Sequence, residues 1–163
     1  MFEFLKRTKL IKDDLKGMAT LMYRDVSEDV WDKENLTKRN LDFSIESTRF
    51  IDMYVERLMN TEKGIELLNK HFDNFVVRIG SYIGEVIKNN INQDFTWYEF
   101  DSVYVYSSAL DEIHRSEKPY SLLYSKKRDM VIMPLQETLQ FLEGTSRYPN
   151  FLAYVEEMIK KNS

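Results

Sequence analysis

Apolar positions recur at helical spacing through the first ninety residues, give way to alternation, and return to helical spacing before the end. Leu10, Ile11, Leu15, Met18, Leu21 and Met22 predict a helix over Lys9–Tyr23, with Lys12, Asp13, Asp14 and Lys16 between them. Asp25 to Asn40 is polar and reads as a connection holding a short helical turn around Asp29–Glu34. The segment before residue 40 is expected to dock loosely on the rest. A clearer helix begins near Ser44. Asp42 and Ser44 are N-cap candidates, Glu46 falls in the first turn, and Phe43 is placed to act as a hydrophobic staple. Its buried stripe is Ile51, Val55, Leu58 and Met59, and Thr61 can cap a following short helix carrying Ile65, Leu67 and Leu68.

Phe72 to Asn90 is the most informative stretch. One helical face carries Val76, Ile79, Ile83 and Val86, and a second carries Val77, Gly80, Gly84, Ile87 and Ile91. Two apolar faces require burial on two sides, so this helix belongs at the centre of the fold. Gly80 and Gly84 stack on one side, each costing about 1 kcal/mol of helix propensity relative to Ala. Close approach by another part of the chain would offset that cost.

Beyond Asn90 the composition turns to β-branched and aromatic residues. Thr96–Phe100, Ser102–Ser107, Tyr120–Ser125 and Met130–Met133 read as strands, and Lys126–Asp129 as the turn joining the last two. Ala109 to Glu117 reads as a short helix. Pro134 opens a helix with Leu135, Leu139 and Leu142 in register, and Gly144 closes it. Pro149 opens a final helix with Leu152, Val155, Met158 and Ile159 as its stripe. The order predicts one α+β domain over 1–163: a helical N-terminal half packed on a small, mostly antiparallel sheet of three to four strands, then C-terminal helices.

Composition supports a self-sufficient core. The chain has 163 residues, 43% hydrophobic and 13% aromatic, with five Gly and three Pro. A domain of this size needs no staple. The absence of cysteine removes disulfides, thiolate metal sites and cysteine nucleophiles. No apolar run approaches the roughly 20 residues of a membrane helix, and a cytoplasmic address is expected. The formal charge of −4 argues against a general nucleic-acid binder.

The distribution of charge says more than its total. Asn89 to His114 holds five acids, Asp94, Glu99, Asp101, Asp111 and Glu112, and no Lys or Arg. Trp97, Tyr104 and Tyr106 lie among them. As a strand, Ser102–Ser107 would put Tyr104 and Tyr106 on one face and Val103 and Val105 on the other. An acidic surface studded with tyrosines fits a basic protein partner, and a solvated charged face is the plainer reading.

Catalytic patterns are sparse. The two histidines, His71 and His114, form no metal-binding pair, so neither a metal nor a cofactor is expected. There is no nucleophile elbow and no phosphate loop. Glu85 follows Gly84 on the central helix and needs a partner if buried; Lys88 is one turn away. With Arg78 or His71 nearby, Glu85 is the candidate acid of a small-ligand binder or enzyme.

The stretches Leu41-Asp-Phe-Ser-Ile-Glu-Ser and Gly80-Ser-Tyr-Ile-Gly-Glu-Val-Ile, with an aromatic strand at Trp97, resemble a loose group of small bacterial α+β proteins of unknown function. Similar small domains sometimes occur as immunity or regulatory partners of toxins. The resemblance spans about Leu41 to Pro134 and brings no catalytic residues with it. The sequence therefore favours a non-catalytic module that binds a basic protein partner, over a Glu85-based ligand site or a homo-oligomer joined through the tyrosine face.

Overall fold

A computed structural model describes residues 9–113 and 118–163. Along the described chain run helices α1 (Lys16–Arg24), α2 (Val30–Asn35), α3 (Thr48–Asn60), α4 (Glu62–Lys70) and α5 (Phe72–Asn90). Strand β1 (Thr96–Tyr98), helix α6 (Phe100–Tyr106), strands β2 (Leu122–Ser125) and β3 (Met130–Ile132), and helices α7 (Pro134–Glu143) and α8 (Phe151–Asn162) follow. The architecture is α+β, with helices before and after a three-stranded antiparallel sheet of order β1-β2-β3.

Helix α5 spans the predicted residues and packs against α1, α4, α7 and α8. Val76, Ile79, Ile83, Val86 and Ile87 are fully buried. Both glycines are explained by what lies over them. A Cβ on Gly80 would come within 2.8 Å of the Leu135 Cα, and one on Gly84 within 2.2 Å of the Trp97 indole. The glycine pair is thus a seat for the start of α7 and for the indole of β1.

Strand pairing aligns Trp97, Leu123 and Ile132 across the sheet. These three belong to the main core with α5, whereas Tyr98, Leu122 and Tyr124 form a second cluster with Leu10, Phe100, Val103 and Leu110. The sheet therefore separates two apolar layers, as the alternation of side chains along a strand requires.

Three predicted elements fold differently, two of them beside β1. Ser102–Ser107 was expected as a strand; Phe100–Tyr106 is helical. Phe100 and Val103, three apart, are buried on the outer sheet face, while Val105 is 48% exposed. A strand would have had to bury or expose alternate residues, which this pattern does not match. Tyr104 and Tyr106 consequently do not share a strand face. The predicted helix over Lys9–Tyr23 begins only at Lys16. Before it the chain is extended and pairs with β1: Lys12 bridges Tyr98, the Asp13 N–H donates to the Trp97 carbonyl at 3.2 Å, and the Glu99 N–H to the Ile11 carbonyl at 2.8 Å. Backbone pairing along the open side of β1 outweighs helix propensity there.

Ala19, Met22 and Leu36 are buried in the main core, so the described part of the segment before residue 40 is packed in place. The turn at Asp29–Glu34 is α2, with the Asp29 side chain accepting from the Asp32 N–H. Asp42 and Ser44 cap a turn that precedes α3: Asp42 accepts from the Ser44 N–H at 3.1 Å, and Ser44 Oγ from the Ser47 N–H at 3.1 Å. Thr61 caps α4, and Gly144 ends α7 at φ 77°. The final helix is capped by Asn150, one residue after the Pro149 proposed to open it. Ala109–Ile113 forms turns instead of a helix, and the rest of that prediction, with His114, lies outside the described residues.

Candidate functional site

Helix α6 and the turns after it carry most of the acidic, tyrosine-bearing segment. Glu99 leaves β1 in extended conformation at the N-cap position, and Ser102 Oγ donates to the Glu99 carbonyl at 2.8 Å. Phe100 and Val103 then turn into the outer cluster, which fixes the opposite side of the helix toward solvent. That side presents Asp101, Tyr104 and Val105, and the Tyr104 ring stacks on Phe100 with centroids 6.2 Å apart. Glu99, Asp111, Glu112 and Ile113 are also exposed. Tyr104, Val105 and Ile113 are 41%, 48% and 38% exposed, so apolar surface is interleaved with carboxylates.

Three expected members of this surface do other work. Trp97 is 1% exposed and its indole lies in the main core. Tyr106 is half-buried, edge-on to Tyr124 with centroids 6.2 Å apart. Asp94 brackets the β2–β3 turn, accepting from Ser125 Oγ and from the Lys127 N–H. Burial pushes its carboxyl up, but these hydrogen bonds outweigh it and hold the group below the ordinary carboxylate range. At the same turn the Tyr124 hydroxyl donates to Asp129 Oδ1 at 2.6 Å. Burial and that bond push the phenol up to about 12.

Glu85, Arg78 and His71 do not assemble into one site. Glu85 is 1% exposed; its Oε2 accepts from the Trp97 indole N–H at 2.8 Å and lies 3.6 Å from Lys88 Nζ. The expected Lys88 partner is present, and Trp97 is a partner that spacing did not reveal. Arg78 donates to the Asp25 carboxylate at 2.5 Å and to the Asp25 carbonyl at 3.3 Å, tying α5 to the end of α1. His71 stands at the α4–α5 junction. Seven residues separate each from the next, about 10 Å along the helix axis, too far to converge on one small ligand.

Clefts occur elsewhere. One of about 420 Å³ lies between β3, α7 and α8 and includes Gln136, Gln140, Arg147 and Lys161. Another of about 270 Å³ opens between α2, α3 and α4 beside Asp32 and Arg57. Neither borders Glu85, and sequence patterning identified neither, because each is built from residues far apart in the chain. Among the described residues no group of His, Asp and Glu side chains is arranged to hold a metal ion. No helix there is long and apolar enough to cross a membrane.

No protein-family model, curated protein or solved structure matches the chain at a significant level.

Proposed function

We propose that this protein is a non-catalytic binding module that docks a basic protein partner through α6 and the turns that follow it. The carrying observation is the interleaving of exposed apolar side chains, Tyr104, Val105 and Ile113, with the carboxylates of Glu99, Asp111 and Glu112 on a base-free stretch. Aromatic and aliphatic anchors supply contact area, and a carboxylate surround selects a cationic partner and speeds its encounter. A regulatory or immunity-like role in the cytoplasm is the setting this chemistry suits. The burial of Glu85 against Trp97 and Lys88 favours a structural part for that acid over a ligand-binding one.

The test is a photo-crosslinking residue placed at position 104 in the producing cell. A single cationic protein should be captured. Its yield should fall with added salt and collapse when Glu99→Gln, Asp111→Asn and Glu112→Gln are combined. Adducts with a second copy of the chain would point instead to a homo-oligomer. Capture indifferent to the triple substitution would remove the electrostatic basis of the reading.

A further inference from the structure

The cleft between β3, α7 and α8 shows how those two helices are used at the sheet edge. Gln136 and Gln140 lie one turn apart on α7, and Tyr154, Met158 and Lys161 follow helical spacing on α8. All five line the cleft. So do the consecutive residues Val131, Ile132 and Met133, whose side chains point to opposite sheet faces. What they share is the edge of β3, so the cleft runs along that edge. Its volume of about 420 Å³ falls in the range typical of small-molecule sites.

Four of its polar side chains, Gln136, Gln140, Arg147 and Lys161, carry donors, and none of the four is paired with a carboxylate among the described residues. The Gln136 and Gln140 side-chain amides are half-buried and make no hydrogen bond among the described residues. Arg147 is steadied over the Tyr148 ring, 5.3 Å from its centroid, and its Nη2 donates to the Tyr148 hydroxyl at 3.3 Å. Glu137 and Glu157 are near enough to act on Arg147, yet neither forms an ion pair with it. Lys161 has no ion pair among the described residues either. Several other cations are paired, as Arg78 is with Asp25 and Lys118 with Asp73. Among the described lining residues the one carboxylate, Glu137, accepts from Ser146 Oγ at 2.7 Å. The described walls thus offer two cations and two amides against one engaged acid, in a chain whose net charge is −4. Met158 and Met133, both half-buried, supply a polarizable apolar body beside them, over the core residue Tyr154.

We propose that the cleft between β3, α7 and α8 binds a small organic carboxylate with an aromatic body. The ring lies against Met133 and Met158, and the acid is held by Arg147 or Lys161 with help from the Gln136 and Gln140 amides. A guanidinium suits a carboxylate because its planar fork can donate two parallel hydrogen bonds. The cleft shares Ile113 with the proposed docking surface, but this carboxylate site goes beyond the docking role of α6 and does not depend on it.

The test uses 3-phenylpropionate and 3-phenylpropylamine, which share a body and differ in the sign of their charge, titrated into the full chain by NMR. The acid should bind saturably at one site and shift the methyl signals of Met133 and Met158. The amine should bind at least about tenfold more weakly, a difference of about 1.4 kcal/mol. The double variant Arg147→Gln, Lys161→Gln should weaken the acid by a similar factor with no change in melting temperature, since both side chains are exposed. The triple substitution at Glu99, Asp111 and Glu112 should leave acid binding unchanged, so the two proposals fail separately. Equal binding of acid and amine, binding of the acid unmoved in the Arg147/Lys161 variant, or no saturable shift at those methionines would overturn the assignment.

Discussion

The indole N–H of Trp97 donates to Glu85 Oε2 at 2.8 Å inside the core, where both residues are 1% exposed. Gly84 makes this possible. It leaves out the side chain that would collide with the ring, and the next residue supplies the acceptor. One turn of α5 therefore both seats the Trp97 ring of β1 and satisfies its only polar atom.

Replacing Gly84 with Ala should destabilise the protein although Ala is the better helix former. The added Cβ would stand 2.2 Å from the Trp97 ring and 3.2 Å from Pro134 Cγ. Overpacking costs about 1–3 kcal/mol, against about 1 kcal/mol gained in propensity. Gly80→Ala should behave alike, because its obstacle includes backbone, the Leu135 Cα at 2.8 Å. Urea denaturation followed by circular dichroism measures both, and a Gly84→Ala variant more stable than wild type would contradict the packing described.

Glu85→Ala should cost about 1–3 kcal/mol, the penalty for leaving a buried donor without an acceptor. Glu85→Gln keeps an oxygen for the indole and should lose less. Trp31 is the second tryptophan, so the Trp31→Phe background isolates Trp97 emission. Equal losses for Ala and Gln would show that the indole bond contributes nothing.

Two carboxylates should titrate in opposite senses. Asp52 accepts from the Phe151 and Leu152 N–H groups at 2.7 and 3.1 Å, but burial outweighs these bonds and raises its carboxyl above the ordinary value. Asp94 also accepts two hydrogen bonds, and they hold its carboxyl below that value. The folded state therefore binds the Asp52 proton more tightly than the unfolded chain, and the Asp94 proton less tightly. The Asp94 contribution should be full above the ordinary carboxylate pKa and vanish as pH falls through the lower folded value. The penalty on ionised Asp52 should be full above its raised value and relieved as pH falls toward the ordinary one. Stability measured from pH 7 to pH 3 should show the gap between wild type and Asp94→Ala closing. Over the same range the balance between wild type and Asp52→Asn should shift toward wild type. A pH-independent gap in either pair would refute that half of the argument.

Amide hydrogen exchange should find Asp13 and Glu99 protected. Their N–H groups are bonded to the Trp97 and Ile11 carbonyls, which makes residues 11–13 an extra rung on the open side of β1. Exchange at the rate of an unstructured chain at both positions would mean that this pairing does not persist in solution.

Much of the helical framework was legible because its signals are local. The period of Phe72–Asn90, its two apolar faces and its glycine pair all follow from residues within one helix, and the caps at Thr61 and Gly144 depend on neighbours a turn away. The candidate site was legible only in part. The acids and tyrosines of 94–113 could be named from the sequence, but which of them face water depends on α6 being a helix that lies on the sheet.

The chain alone determined an α+β order, a central helix and a base-free acidic stretch, since these are properties of pattern and charge. Tertiary structure decided that Phe100–Tyr106 is helical, that residues 11–13 are extended, and that Trp97 points inward to Glu85. Strand and helix propensities differ by only about 1 kcal/mol per residue. Burying Phe100 and Val103, or pairing the open side of β1, contributes at least as much. For short segments the partner across the fold therefore sets the conformation, and that partner is not written within the segment.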